Sequence, residues 1–397
     1  MQNRVAVIGL GYVGLPLAVE SAKSGYEVRG IDVSRERVQS INSGNSLIED
    51  ILSSDIATIL ENNRLKASDN FIDIIGSSII IICVPTPLLI NNKPDLSFVE
   101  SAAKSIAPYL TSGVLVILES TVEPSTTRDY LAPLLEHGSG LSRNDFHIAF
   151  SPERIDPLNK RWNIRNTPKV VSGLTPKARE IAVDFYKRFV DTIIECESLE
   201  VAETAKLLEN SFRLINISFI NEISMFCQRL GIDINAVISA AATKPYGFMP
   251  FYPSIGIGGH CIPVDPLYLA NKAREIGAPT KMIDLADQIN QEMPGYFIGR
   301  AEEKLGRLKN KRVLVIGVSY KPNVADVRES PVEALIAGLR QKGAQVVWHD
   351  DLVKEWNGEE SVALSNKYDL AILATPHDYL DLTKLGDVPI LNTRGSI

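Results

Sequence analysis

Short apolar runs rich in β-branched residues alternate with helical stretches from the start of the chain to about residue 190, and this alternation predicts a doubly wound parallel sheet. The expected strands are Val5 to Gly9, Glu27 to Asp32, Ile79 to Val84, Val114 to Glu119 and Phe146 to Phe150. Their nearly continuous apolar character suits strands covered on both faces. From about residue 198 the period changes. Leu199 to Leu230 sets apolar residues at helical spacing, with no Pro or Gly before Gly231, which predicts one helix of roughly thirty residues. Leu207, Leu208, Phe212, Leu214, Ile215, Ile217, Phe219 and Ile220 occupy more than one of its faces, as they would if the helix also packed against a second subunit, so a homodimer is expected. The alternation resumes at Lys311 with strands Arg312 to Gly317, Gln345 to His349, Asp369 to Ala374 and Pro389 to Asn392. The fold expected is therefore α/β: two Rossmann-like parallel-sheet domains, 1–197 and 296–397, joined by a helical middle domain, 198–295, built on the long central helix.

Composition narrows the class. With 397 residues, 45% hydrophobic and 22% charged, the chain has the balance of a soluble globular protein and too much length for one core. It contains no run of the ~18 apolar residues that a membrane span needs. Met-Gln-Asn-Arg leads directly into the first strand, leaving no room for a secretory signal, and a cytoplasmic location is expected. The four cysteines, at 83, 196, 227 and 261, show no CxxC pairing, so neither a disulfide frame nor a metal site is expected. A net charge of -7 without a long basic run argues against a nucleic-acid partner.

Gly9-Leu10-Gly11-Tyr12-Val13-Gly14 follows a strand, opens a helix and is followed by Asp32 at the end of the next strand. In that context GxGxxG is a dinucleotide fingerprint: the glycines admit a pyrophosphate to a helix N-terminus and the acid bonds ribose hydroxyls. Asp32 would repel a 2′-phosphate and favours NAD, while Arg35 and Arg37 nearby are able to accommodate one. Thr86 and Thr121 fall just beyond the carboxyl ends of later strands, where ligands of open α/β sheets bind; the plainer alternative is that each hydroxyl only caps a turn.

The chemical candidates lie further on. Lys206 and Asn210 are four apart and project from one face of the long helix, with Glu203 nearby; a lysine and an amide so placed suit an oxyanion, although spacing alone also describes a solvated face. Gly256 to Pro266 reads GIGGHCIPVDP and puts Cys261 in a glycine-rich turn. A single cysteine is most often a small buried hydrophobe. Cys83, Cys196 and Cys227 fit that description, whereas Cys261, among Gly, His, Pro and Asp, is the candidate nucleophile and Asp265 the candidate acid or base.

On GLGYVG at 9–14, CVPTP at 83–87, ESTVEPSTT at 119–127, SPERIDP at 151–157, the Lys206 and Asn210 helix, GGHCIPVDP at 258–266 and YKPNVADVRESP at 320–331, the chain resembles the UDP-glucose/GDP-mannose dehydrogenase family over residues 3–395. Within it, SPERIDP, KPYGFMPFYP at 244–253 and GHCIPVDPLYL look most like the members that oxidise UDP-N-acetylglucosamine at C6. The resemblance implies two hydride transfers to NAD, with Cys261 forming a thiohemiacetal and then a thioester. It implies that Lys206 and Asn210 stabilise charge on the C6 oxygen and that Asp265 and Glu153 order or deprotonate water. It also implies that Asp32, Arg37, Thr86, Thr121 and Arg328 touch NAD. Tyr320 and Lys321 would hold the UDP part, with backbone from Tyr252 to Gly256, and Gly258 beyond it, lining the uridine. Val264 and Pro157 stand where many glucose-oxidising members carry lysine and glutamate contacts to NAD, and Arg154 is the candidate substitute. UDP-N-acetylmannosamine, UDP-N-acetylgalactosamine and UDP-glucose are the alternative substrates. A two-electron β-hydroxyacid dehydrogenase and a non-catalytic NAD-binding scaffold are the alternatives of other kinds.

Overall fold

The computed structural model describes residues 3–48, 51–156, 159 and 161–395; Pro157 lies outside the described residues. The chain forms two compact units, Met1–Leu208 and Glu209–Ile397. The first holds strands β1 (Arg4–Ile8), β2 (Glu27–Ile31), β3 (Leu65–Ser68), β4 (Ile79–Ile82), β5 (Leu115–Leu118), β6 (His147–Phe150), β7 (Lys169–Gly173) and β8 (Ile193–Glu195). They form one sheet in the order β3-β2-β1-β4-β5-β6-β7-β8. All five strands expected here are present. Val5, Val7, Ile81 and Ile117 enter the core on one face, while Ala6, Ile80, Ile82, Val116 and Leu118 enter the core on the other. This double burial is why the strands read as unbroken apolar runs rather than alternating ones.

The sheet is not wholly parallel: β7 runs antiparallel to β6. A parallel return needs a crossover, usually a helix, and no helix is found among the described residues between Phe150 and Lys169. Strands β3, β7 and β8 also escaped the sequence pattern. Leu-Lys-Ala-Ser in β3 is short and half polar, and β8 keeps Ile194 and Glu195 exposed.

The helix Leu199–Leu230 has the bounds its periodicity predicts. Of its apolar residues, Leu207, Leu214 and Ile220 are buried, whereas Leu208, Phe212 and Phe219 are exposed. The second unit continues with the helices Asp265–Glu275, Lys281–Leu305 and Val332–Gln341. Its strands are β9 (Arg312–Ile316), β10 (Gln345–His349), the short hairpin of β11 (Glu355–Trp356) and β12 (Glu359–Glu360), β13 (Leu370–Leu373) and β14 (Ile390–Asn392). The parallel sheet β10-β9-β13-β14 packs Val313, Val315 and Ile372 with Phe297, Leu335 and Trp348 in one core. No helix of the described residues is long and apolar enough to cross a membrane.

Candidate active site

In the first unit the candidate cofactor residues gather at the carboxyl ends of β1, β2, β4 and β5, where the strand order reverses between β1 and β4. The three fingerprint glycines are required for different reasons. Gly9 has φ +90°, and a Cβ there would lie 2.6 Å from the Cys83 carbonyl oxygen. A Cβ on Gly14 would lie 1.8 Å from the Gly9 carbonyl oxygen, so that glycine lets the helix Gly14–Lys23 approach the strand. A Cβ on Gly11 would meet no protein atom within 4 Å. Packing leaves Gly11 unexplained, and backbone access for a pyrophosphate explains it. The Asp32 carboxylate accepts from the Leu10 amide at 2.8 Å, the Ser34 amide at 2.9 Å and Arg37 Nη1 at 2.8 Å. Arg37 is thus paired with Asp32, the candidate ribose-binding acid, an arrangement compatible with NAD. Thr86 and Thr121 lie half-buried in the loops after β4 and β5, and Ser120 beside Thr121 donates to the Val84 carbonyl at 2.7 Å. Tyr12 and Val13 complete the turn.

A second cluster in this unit surrounds Glu153. Its carboxylate lies 3.8 Å from Lys206 Nζ, with both side chains largely buried. Lys206 is located by its own helix. One turn earlier, Glu203 accepts from the amides of Ser125 and Thr127 at 2.7 and 3.0 Å, and this ties the helix to the loop that carries Thr121. Burial pushes the Glu203 carboxyl upward, against those amide bonds. Sequence reasoning missed what lies beneath the loop. Lys169 Nζ donates to Glu119 at 2.7 Å and to the Pro152 carbonyl at 3.2 Å, and the Tyr186 hydroxyl donates to Glu119. A cleft lined by Val13, Glu119, Glu153, Arg154 and Lys169 opens above this network, and Arg154 donates to the Pro168 carbonyl at 2.6 Å. The available signal was a lysine opening the apolar run of β7, since a charge inside an apolar run implies a buried partner.

In the second unit Asn210 Nδ2 donates to Asp265 Oδ2 at 2.5 Å, and both residues are buried. The Asp265 amide donates to the Cys261 carbonyl at 2.8 Å, which sets Cys261 in the turn just before the helix Asp265–Glu275, the end whose dipole favours negative charge. The Asn210 candidate of the long helix is therefore joined to the Cys261 and Asp265 candidates of the glycine-rich turn. Cys261 is half-buried, whereas Cys83 and Cys227 are buried. Burial pushes the Cys83 thiol well above its ordinary range. Cys196 departs from expectation in being half-buried, although burial raises its thiol as well.

The glycine turn also has a packing partner. A Cβ on Gly258 would lie 2.6 Å from the Glu329 carbonyl oxygen and 2.8 Å from Tyr320 Cβ, and one on Gly259 would lie 2.9 Å from the Tyr320 ring. The Gly259 amide donates to the Arg328 carbonyl at 3.1 Å, and Asn290 accepts from the Ile257 amide at 2.6 Å. The glycine turn that leads to Cys261 is thus packed against Tyr320 of the loop after β9 and against the segment 328–331, and Tyr252 is exposed. The Arg328 guanidinium is engaged by Asp326, at 2.9 and 3.0 Å from Nε. No cluster of metal-binding side chains occurs among the described residues.

Comparison with known proteins agrees in every segment. The chain matches the NAD binding domain of the UDP-glucose/GDP-mannose dehydrogenase family over residues 3–190, its central domain over 200–292 and its UDP binding domain over 314–392. It is 37% identical to a UDP-N-acetyl-D-glucosamine 6-dehydrogenase of Pseudomonas aeruginosa, covering 94% of this chain and 87% of that one. It is 35% identical to a UDP-N-acetyl-D-mannosamine dehydrogenase of Pyrococcus horikoshii, covering 94% and 89%. The solved structure of a UDP-D-ManNAc dehydrogenase from Pyrococcus horikoshii superimposes with a TM-score of 0.91 at 33% identity, over 98% of this chain and 95% of that one. The chain belongs to the UDP-glucose/GDP-mannose dehydrogenase family and is an NAD-dependent dehydrogenase of UDP-sugars.

Proposed function

We propose that the chain oxidises UDP-N-acetylglucosamine at C6 to the uronic acid, in the cytoplasm and as a homodimer, and so supplies a precursor for surface polysaccharide. The observation that carries the chemistry is the bond between Asn210 and Asp265 beside the Cys261 turn. The Gly9 to Gly14 turn, Asp32, Thr86, Thr121 and Arg328 would hold NAD, which would supply the hydride acceptor for each of two oxidations at C6, one NAD for each. The first oxidation also releases the hydroxyl proton and leaves an aldehyde. The Cys261 thiolate then adds to C6, giving a thiohemiacetal whose oxygen takes up a proton, and loss of the second hydride and that proton leaves a thioester. Water displaces the thiolate and yields the carboxylate, for a total of three protons released per sugar. Keeping the aldehyde on the thiol holds C6 in place for the second transfer instead of letting it diffuse away.

Lys206 and Asn210 stand one helical turn apart and stabilise negative charge on the C6 oxygen. Asp265, fixed by Asn210, and Glu153, beside Lys206, order and deprotonate the hydrolytic water. Tyr320 and Lys321 hold the UDP part, one offering a ring face to the base and the other a charge to the diphosphate. Arg154 and the backbone from Tyr252 to Gly258 complete the substrate contacts.

UDP-N-acetylmannosamine is the alternative substrate, favoured by the dehydrogenase whose structure superimposes at a TM-score of 0.91. The test is NADH formed per sugar consumed, with UDP-N-acetylglucosamine, UDP-N-acetylmannosamine, UDP-N-acetylgalactosamine and UDP-glucose. Two NADH with the first confirms the proposal, and two with another sugar reassigns the substrate. One NADH, or none with all four, overturns the four-electron chemistry.

A further inference from the structure

The two parallel sheets carry the same turn at the end of their first strand. Gly9 after β1 has φ +90° and donates to the Ile31 carbonyl at 2.7 Å, while Gly317 after β9 has φ +81° and donates to the His349 carbonyl at 2.8 Å. The next amides, of Leu10 and Val318, donate to Asp32 Oδ2 at 2.8 Å and to Asp350 Oδ2 at 2.9 Å. Asp350 is therefore the counterpart of Asp32, although its sheet has no glycine fingerprint.

The two acids have diverged in use. Asp32 has an acceptor position left after Leu10, Ser34 and a partly exposed Arg37. A carboxylate offers about four acceptor positions, and Asp350 has four donors. These are Val318 N at 2.9 Å and His377 Nε2 at 3.1 Å on Oδ2, and Leu352 N at 2.9 Å and Val353 N at 3.1 Å on Oδ1. The side chains of Asp350 and His377 are both 0% exposed. Asp350 cannot take a ribose hydroxyl without losing one of these bonds. It has become a support for His377.

His377 in turn supports a loop. Its Nδ1 accepts from the Asn323 amide at 2.9 Å, so the ring proton sits on Nε2 and is donated to Asp350. Asn323 adopts φ +64° and is held twice more, donating from Nδ2 to Asp378 at 2.8 Å and accepting from the Asp378 amide at 3.0 Å. On the other side of Tyr320 and Lys321, the Thr375 hydroxyl donates to the Ser319 carbonyl at 2.7 Å. The two residues assigned to UDP thus lie between a pair of clamps, both supplied by residues 375–378 after β13.

We infer that His377, oriented by Asp350, is a positioning residue for the UDP end of the substrate, and that its Nδ1 fixes Asn323 and through it the conformation of Tyr320 and Lys321. This rests on the assignment of Tyr320 and Lys321 to UDP.

The discriminating pair of variants is His377→Asn and His377→Gln. An asparagine Oδ1 falls near Nδ1 and restores the acceptor for Asn323. A glutamine amide reaches toward Asp350 as a donor and leaves Asn323 without its acceptor. UDP affinity is measured by titration calorimetry with UDP alone, NAD affinity likewise, and steady-state KM and kcat with the UDP-sugar. His377→Gln is expected to weaken UDP and raise the sugar KM about tenfold with kcat and NAD affinity nearly unchanged, whereas His377→Asn stays within about threefold of the parent. Equal loss in both variants, or greater loss in His377→Asn, overturns the inference. Lys321→Ala separates the underlying assignment. If it leaves UDP affinity unchanged, the placement of UDP is wrong; if it weakens UDP while His377→Gln does not, only the role of His377 is wrong.

Discussion

Cys261 and the fingerprint glycines make single-residue predictions with opposite signatures. Cys261→Ser retains the turn and its bond from the Asp265 amide but removes the thiolate. Acid formation is expected to fall by about a thousandfold or more while NAD affinity is unchanged, as measured by uronic acid released and by cofactor titration. Normal acid formation by that variant would falsify the covalent route. Gly11→Ala adds a methyl group that meets no protein atom within 4 Å, so it should leave the melting temperature within a degree or two and weaken NAD strongly. Gly14→Ala drives a Cβ to 1.8 Å from the Gly9 carbonyl oxygen, so it should lower the melting temperature as well as the affinity. A Gly11→Ala protein with full NAD affinity would remove the pyrophosphate from this turn. These two glycines look alike in the sequence, and only the packing around each tells a ligand-facing position from one required by strand-helix contact.

Whole elements were legible where burial is two-sided. The strands β1, β4 and β5 and the helix Leu199–Leu230 announce themselves because every position, or every third and fourth, is apolar. β3 and β8 carry too few apolar residues to do so, and the antiparallel β7 depends on a return path that has no periodic signature. The joining of Asn210, Asp265 and Cys261 was half legible: each residue type stood out, but the bond spans 55 positions and no spacing rule reaches that far. The Asp350 and His377 pair was not recognised at all, although Gly317 and Asp350 repeat, without the fingerprint, the glycine and acid of the first sheet. This second sheet carries its own prediction. Burial pushes the Asp350 carboxyl up, but the bonds from His377 and from the Val318 and Val353 amides outweigh it and hold the group at about 2, below its ordinary 3.8. Because the folded value lies below the unfolded one, the unfolded chain binds more protons between them. The stabilisation is therefore complete above about pH 4 and is lost as pH falls through about 2, amounting to about 2 kcal/mol. The urea midpoint should fall more steeply between pH 5 and pH 2.5 in the parent than in Asp350→Asn. Parallel slopes would mean that the pair does not stabilise the sheet.

At the scale of the molecule, the long helix presents more apolar surface than one chain covers. Leu208, Phe212, Phe219, Phe226 and Leu230 are all exposed, at 61%, 45%, 54%, 59% and 59%. Their spacings of four, seven, seven and four place them along one stripe, the geometry of a seam between helices, while Leu207, Leu214 and Ile220 face the chain's own core. A soluble monomer seldom leaves so many large side chains open in a single row. A second copy of the same helix, related by a two-fold axis, would cover the row with an identical surface, because an isologous interface pairs each patch with itself. A charge at the centre of the stripe should then be costly only in the assembly, since Phe219 lies on the open side of the helix. Phe219→Glu is expected to sediment at the mass of one chain, with its melting temperature no longer rising with protein concentration, while the parent sediments at twice that mass. A parent that sediments as a monomer, or a Phe219→Glu protein that remains a dimer, would leave this stripe to some other partner. Because Lys206 and Asn210 lie on this same helix, kcat measured on the monomeric variant would then show whether the seam also holds their geometry, with a fall of tenfold or more linking assembly to turnover and an unchanged value separating them.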